Sequence, residues 1–161
     1  MQTANIRPML MSDLTEIVAI ENALQFTPWT QKLFVDSLQA GHICEVLTLD
    51  NKIIGFAVMR INLDEAELLN IAITQTKQRQ GFAQQLLNYL LKMAIQHKVK
   101  CIYLEVRKSN TAAIQFYCKN GFVQIAVRKN YYKSKLSGRE DALILAYIFK
   151  KTGLTRKDES L

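Results

Sequence analysis

The sequence predicts a mixed α/β domain, one mostly antiparallel sheet of about seven strands flanked by about four helices. Two observations carry that prediction. Strand-length runs of β-branched and apolar residues alternate with stretches of helical period, and between Glu67 and His97 the two kinds meet around a polar loop. In that stretch Leu68, Leu69, Ile71, Ala72 and Ile73 form a short apolar run that suits a strand covered on both faces. Ala83, Leu86, Leu87, Leu90, Leu91, Ala94 and Ile95 then recur at helical spacing, predicting one continuous apolar helix face. A chain of 161 residues is most simply one domain, burying about two thirds of its unfolded surface. We place that domain at residues 1–149 and a charged tail at 150–161.

The other elements follow in order. Ile6 to Leu10 reads as a strand, and Asp13, with Glu16 three residues on, has the spacing of a capping box for a helix to about Leu24. After Pro28-Trp29, Thr30 caps a short helix carrying Leu33, Phe34 and Leu38 on one side. Trp29 is expected in the core, while Phe26 is open between core closure and substrate contact. Glu45–Leu49 and Ile53–Ile61 form a hairpin through the turn cluster Asp50-Asn51-Lys52, and Asp64-Glu65 leads into the Leu68 strand. Three antiparallel strands thus precede the loop. Lys100–Val106 is the next strand, with Ile102, Leu104 and Val106 on one face and Tyr103, Glu105 and Arg107 on the other. A helix from Ser109-Asn110 through Phe116-Tyr117 ends at Gly121, where left-handed backbone is usual. Phe122–Val127 and Ala142–Ile148 are the last strands, joined by a polar loop from Lys129 to Glu140. Beyond Lys150 the apolar signal stops, which fits a mobile tail or a late helix.

Composition excludes several classes. No apolar run approaches the roughly 18 residues of a membrane helix, and the start lacks a signal peptide's apolar core, so a cytoplasmic protein is expected. Cys44, Cys101 and Cys118 suggest neither a disulfide framework nor a metal cluster and are expected as buried thiols. The net charge of +7 is unevenly spread: 4 basic and 9 acidic residues up to Thr76, 17 basic and 5 acidic from Lys77 onward. A basic half suits an anionic cofactor and an acidic half a cationic acceptor, unless strands of the two halves interleave. No nucleic-acid-binding motif accompanies the charge.

The chemistry is expected around the loop. Gly81, where a strand hands over to a helix, is either an ordinary connection or a cradle that lets a pyrophosphate approach the helix N-terminus. Glu105, at the end of an apolar strand, is either a general base or the partner of Arg107 in an ion pair. Tyr117 is either packing or a proton donor to a leaving thiolate.

These residues converge on a family. Gln78, Gly81 and Ala83 match the phosphate signature Gln/Arg-x-x-Gly-x-Gly/Ala, so the chain resembles the GNAT acetyltransferases. Leu69-Asn70-Ile71-Ala72-Ile73, Leu104-Glu105-Val106-Arg107 with Ser109-Asn110, and Tyr131-Tyr132 with Gly138-Arg139-Glu140-Asp141-Ala142 resemble the branch acting on ribosomal-protein alanine. The likeness spans about Ile6 to Ile148. It implies the GNAT fold and acetyl transfer from acetyl-CoA to the α-amine of an N-terminal alanine on a small-subunit ribosomal protein. It also implies Glu105 as base and Tyr117 as acid. Backbone at Ile71, Ala72 and Ile73 would meet the pantetheine arm, amides of Arg79, Gln80, Gly81, Phe82, Ala83 and Gln84 would hold the pyrophosphate, and Asn110 would also touch the cofactor. The acceptor would be a basic N-terminal segment. Competing readings are a GNAT acting on a small amine and a non-catalytic acyl-CoA-binding module. Gln75, where the family often has proline, and Ala83, where it often has glycine, depart from the pattern.

Overall fold

Residues 3–134 and 138–150 are described by the structure, a computed structural model. Among them seven strands form one sheet in the order β1-β2-β3-β4-β5-β7-β6. Strands β1 (Ala4–Pro8), β2 (Ile43–Leu49), β3 (Lys52–Asn62) and β4 (Glu65–Ile73) are successively antiparallel, so four such strands precede the loop rather than three. The β2–β3 turn has positive φ at Asp50 and Asn51, the backbone a two-residue hairpin of primed type requires. Strand β5 (Cys101–Arg107) runs parallel to β4, and β6 (Val123–Lys133) and β7 (Arg139–Ile148) complete the sheet.

Helices α1 (Leu14–Leu24) and α2 (Gln31–Gln39) cover one face, where Phe34 meets Phe56 edge-on at 5.3 Å and Trp29 at 5.1 Å. Helices α3 (Phe82–Gln96) and α4 (Thr111–Lys119) cover the other. Leu86, Leu87 and Leu90 of α3 are fully buried there, each stabilising by roughly 1.5–3 kcal/mol relative to exposure. β4 supplies residues to both cores, Leu68 and Ile73 on one side and Ala72 on the other, so it is covered on both faces as its sequence predicts.

Several expectations are corrected. The polar segment after Lys129 is not a loop as far as it is described: β6 continues through Tyr131-Tyr132 to Lys133 and β7 begins at Arg139, with residues 135–137 outside the described set. Polar, aromatic side chains hid that strand, because every residue of β6 except Tyr132 is exposed and no apolar alternation was needed. Asp13 does not cap α1; its carboxylate instead takes the Leu10 N–H and the Arg7 guanidinium, both at 2.8 Å. Ile95 is 61% exposed although its neighbour Ala94 is fully buried, so it lies at the rim of the apolar stripe. Of the thiols only Cys44 is buried, whereas Cys101 is half-buried and Cys118 exposed. Thr30 and Asn110 do cap α2 and α4, accepting from Leu33 and Ala113 N–H. The tail after Lys150 lies outside the described residues.

Candidate active site

The site forms where the sheet parts. Strands β4 and β5 are in register only at Glu65–Cys101, Ala66–Ile102 and Glu67–Tyr103; beyond those pairs Leu68–Ile73 and Leu104–Arg107 have no ladder between them. A bulge at Leu69, opposite the Val58–Met59 step of β3, bends β4 at that point. The Thr74 N–H donates to Ile54 O at 2.7 Å, which fixes the alternation of the β3–β4 ladder. Ala72 therefore turns its backbone groups toward β3, while Ile71 and Ile73 turn theirs into the gap. Gln78 Nε2 reaches back across this turn to Ile73 O at 2.9 Å.

The glycine loop lies at the end of the gap. Gly81 is the N-cap residue of α3 with φ of +88°, and Arg79 before it is also left-handed at 60°. A Cβ added at Gly81 would meet nothing within 4 Å, so the backbone there borders open space. The N–H groups of Phe82, Ala83 and Gln84, in the first turn of α3, have no intrahelical acceptor and carry the positive end of the helix dipole. Gln80 Nε2 is used locally, donating to Thr76 O at 3.2 Å.

A cleft of about 230 Å³ opens at the gap and is lined from both faces of the sheet. Glu105 enters from the α1–α2 side and Tyr117 from α4 on the opposite side. Asn110, at the α4 N-terminus, lines it too. Tyr117 packs edge-on against Phe116 and Phe122, and burial pushes its phenol well above the ordinary value. Glu105 is paired with Arg128, Oε1 to Nη1 at 3.2 Å, and not with Arg107. Arg107 is engaged elsewhere: it donates to Glu140 Oε1 (3.0 Å), Lys133 O (2.7 Å) and Thr27 Oγ1 (3.1 Å), and its guanidinium lies 4.4 Å from the Tyr132 ring centre. It thus ties the α1–α2 connection to the β6–β7 hairpin over the cleft. The Tyr132 phenol is pushed up to about 12, first by burial and then by the Glu105 carboxylate. Phe26 is 46% exposed beside Arg107, 5.7 Å from its guanidinium. Trp29 packs into the core as expected and also borders the cleft.

The sequence counts Glu21 only among the acidic residues of the first half that would attract a basic acceptor, and Asn70 only as part of a motif. Both line the cleft, and Asn70 Nδ2 donates to Glu21 Oε2 at 2.6 Å. The signal was present in α1: Leu14, Ile17 and Glu21 share one buried stripe, so a carboxylate occupies an apolar position.

Residues 5–122 match the acetyltransferase (GNAT) family. The chain belongs to that family. It is 38% identical over 135 residues to the [ribosomal protein bS18]-alanine N-acetyltransferase of Escherichia coli K12, spanning 84% of this chain and 90% of the relative. Its likeness to the enzyme of that name from Haemophilus ducreyi is 36% over 141 residues, 88% and 97% of the two chains. The crystal structure of the Escherichia coli ribosomal-protein-S18-alanine N-acetyltransferase superposes with a TM-score of 0.87 at 35% identity, covering 95% of this chain and 99% of that one. GNAT enzymes use acetyl-CoA. The loop fits such a group, since left-handed Gly81 leaves space for a phosphate before the first-turn amides of α3. None of the described helices is long and apolar enough to cross a membrane.

Proposed function

We propose that the protein transfers acetyl from acetyl-CoA to the α-amine of the N-terminal alanine of ribosomal protein bS18, in the cytoplasm. The relatives' named activity supports the substrate. The structural observation that carries the mechanism is that Glu105 and Tyr117 reach one cleft from opposite faces of the sheet. Acetyl-CoA supplies the activated acyl group. Amides from Arg79 to Gln84 would hold its pyrophosphate, Ile71 and Ile73 would offer backbone pairing to its arm, with Ala72 keeping that strand on β3, and Asn110 would border it. Glu105 takes the proton leaving the amine nitrogen, and Tyr117, kept protonated by burial, gives one to the departing sulfur. An N–H in the gap near Ile73 would be available to the charge that develops on the acyl oxygen.

An α-amine suits a single carboxylate base. Its pKa of about 7.7 to 8.0 leaves on the order of a tenth neutral at pH 7, against less than about a thousandth for a lysine near 10.4. The acceptor is a basic N-terminal segment. The test is incubation with acetyl-CoA and a panel of N-terminal peptides, internal-lysine peptides and polyamines, read by mass spectrometry. One acetyl group on the α-amine of the bS18 peptide is expected. Modification confined to the polyamines would overturn the reading.

A further inference from the structure

Glu21 is 1% exposed and occupies an apolar position of α1, yet it borders the cleft. One oxygen, Oε2, accepts two hydrogen bonds from different walls: Asn70 Nδ2 on β4 at 2.6 Å and the Trp29 backbone N–H at 3.1 Å. Its other oxygen, Oε1, is buried and has no partner among the described residues. Packing alone does not call for a carboxyl group at this position, because burying one is costly unless it is hydrogen-bonded, and the two bonds on Oε2 are what this group supplies. Asn70 sits directly after the Leu69 bulge and directly before Ile71, whose backbone turns into the gap. Trp29 belongs to the connection that walls the acceptor side.

We infer that Glu21 is a positioning residue for acyl transfer, a clamp that fixes the parted segment of β4 against the acceptor wall through Asn70 and the Trp29 amide. It needs no contact with either substrate. Burial pushes its pKa up, so a neutral carboxyl, or an amide of the same shape, serves equally well as a two-bond acceptor. The inference rests on the acetyl-transfer reading above.

The test compares Glu21→Ala, Asn70→Ala, the double variant and Glu21→Gln, with kinetics normalised to folded protein and CoA affinity measured by calorimetry. Loss of the clamp lets the reacting groups drift by a fraction of an ångström or more. Each alanine variant should therefore lose about tenfold to a hundredfold in kcat/KM for the peptide. CoA affinity should stay within about twofold, because the Gly81 loop is not part of the clamp. The double variant should lose little more than either single one, and Glu21→Gln should recover most of the rate. A buried residue of merely structural value would lower the melting temperature and leave peptide kinetics per folded molecule unchanged. That result, or full additivity in the double variant, overturns the inference. If Glu21→Ala does not fold, Asn70→Ala decides alone, since it leaves the Glu21–Trp29 bond in place. Wild-type protein that acetylates no N-terminal peptide would remove the functional reading itself; active wild type with unaffected variants removes only the clamp.

Discussion

Glu105 and Tyr117 differ in how far their surroundings explain them. The Glu105 carboxylate is within 3.2 Å of Arg128 on the half-open side of the cleft, whereas Tyr117 is enclosed by Phe116 and Phe122. Replacing Glu105 by Gln keeps the shape and removes the proposed base, so kcat should fall by about 10²–10⁴ while CoA affinity is retained. Tyr117→Phe removes the proposed acid and should lower kcat in the same range, with the fold preserved because the ring remains. Stopped-flow or steady-state assays of folded variants check both, and near-normal turnover in either would remove that residue from the mechanism. Since burial raises the Tyr117 pKa, its proton stays on through neutral pH, and an alkaline fall of the wild-type rate there must come from another group. From sequence, Glu105 could be singled out because it is the only carboxylate between Glu67 and Glu140. Its partner could not, because Arg128 lies on a strand two places away in the sheet and only the β5-β7-β6 order brings it near. Arg107, adjacent in sequence periodicity, is drawn off by Glu140 and Thr27.

Among the elements, those with strong internal periodicity were legible and those defined by partners were not. The α3 stripe and the β2–β3 hairpin declare themselves, the first by leucine spacing and the second by Asp50-Asn51. The far half of β6 does not, because its strand character comes from pairing with β7 across a wide bulge between Arg128 and Tyr132. That bulge is also what delivers Tyr132 to the cleft. The loop before α3 is the element whose geometry is most demanding. Gly81→Val would place a β-branched residue at φ of +88°, costing about 1–2 kcal/mol or more, and would put its side chain into the open space proposed for the phosphate. CoA affinity should fall by more than about tenfold while the melting temperature drops by only a few degrees. Unchanged affinity by calorimetry would sink the cradle.

On the scale of the whole molecule, the sheet order keeps the two sequence halves apart: β1 to β4 lie on one side of the gap and β5 to β7 on the other. The strands of the acidic half and the basic half therefore do not interleave. On the proposed reading a basic peptide should be drawn toward the acidic side even though the net charge is +7, through a field screened within about 8 Å at physiological ionic strength. KM for a basic alanine-starting peptide should rise with salt and lie well below that of an acidic peptide with the same first residue. Equal efficiency of the two at low salt would assign the asymmetry to the cofactor alone. The short register between β4 and β5 has one more consequence. Among the described residues three residue pairs form the strand pairing between the two sides, while the core under α3 and α4 is continuous across them, so in the free protein the backbone edge of the gap should open locally without the core parting. In deuterium exchange the Ile71 and Ile73 amides should label quickly without ligand and slow together with β5 when acetyl-CoA binds, the ligand's amides standing in for the strand the sheet lacks there.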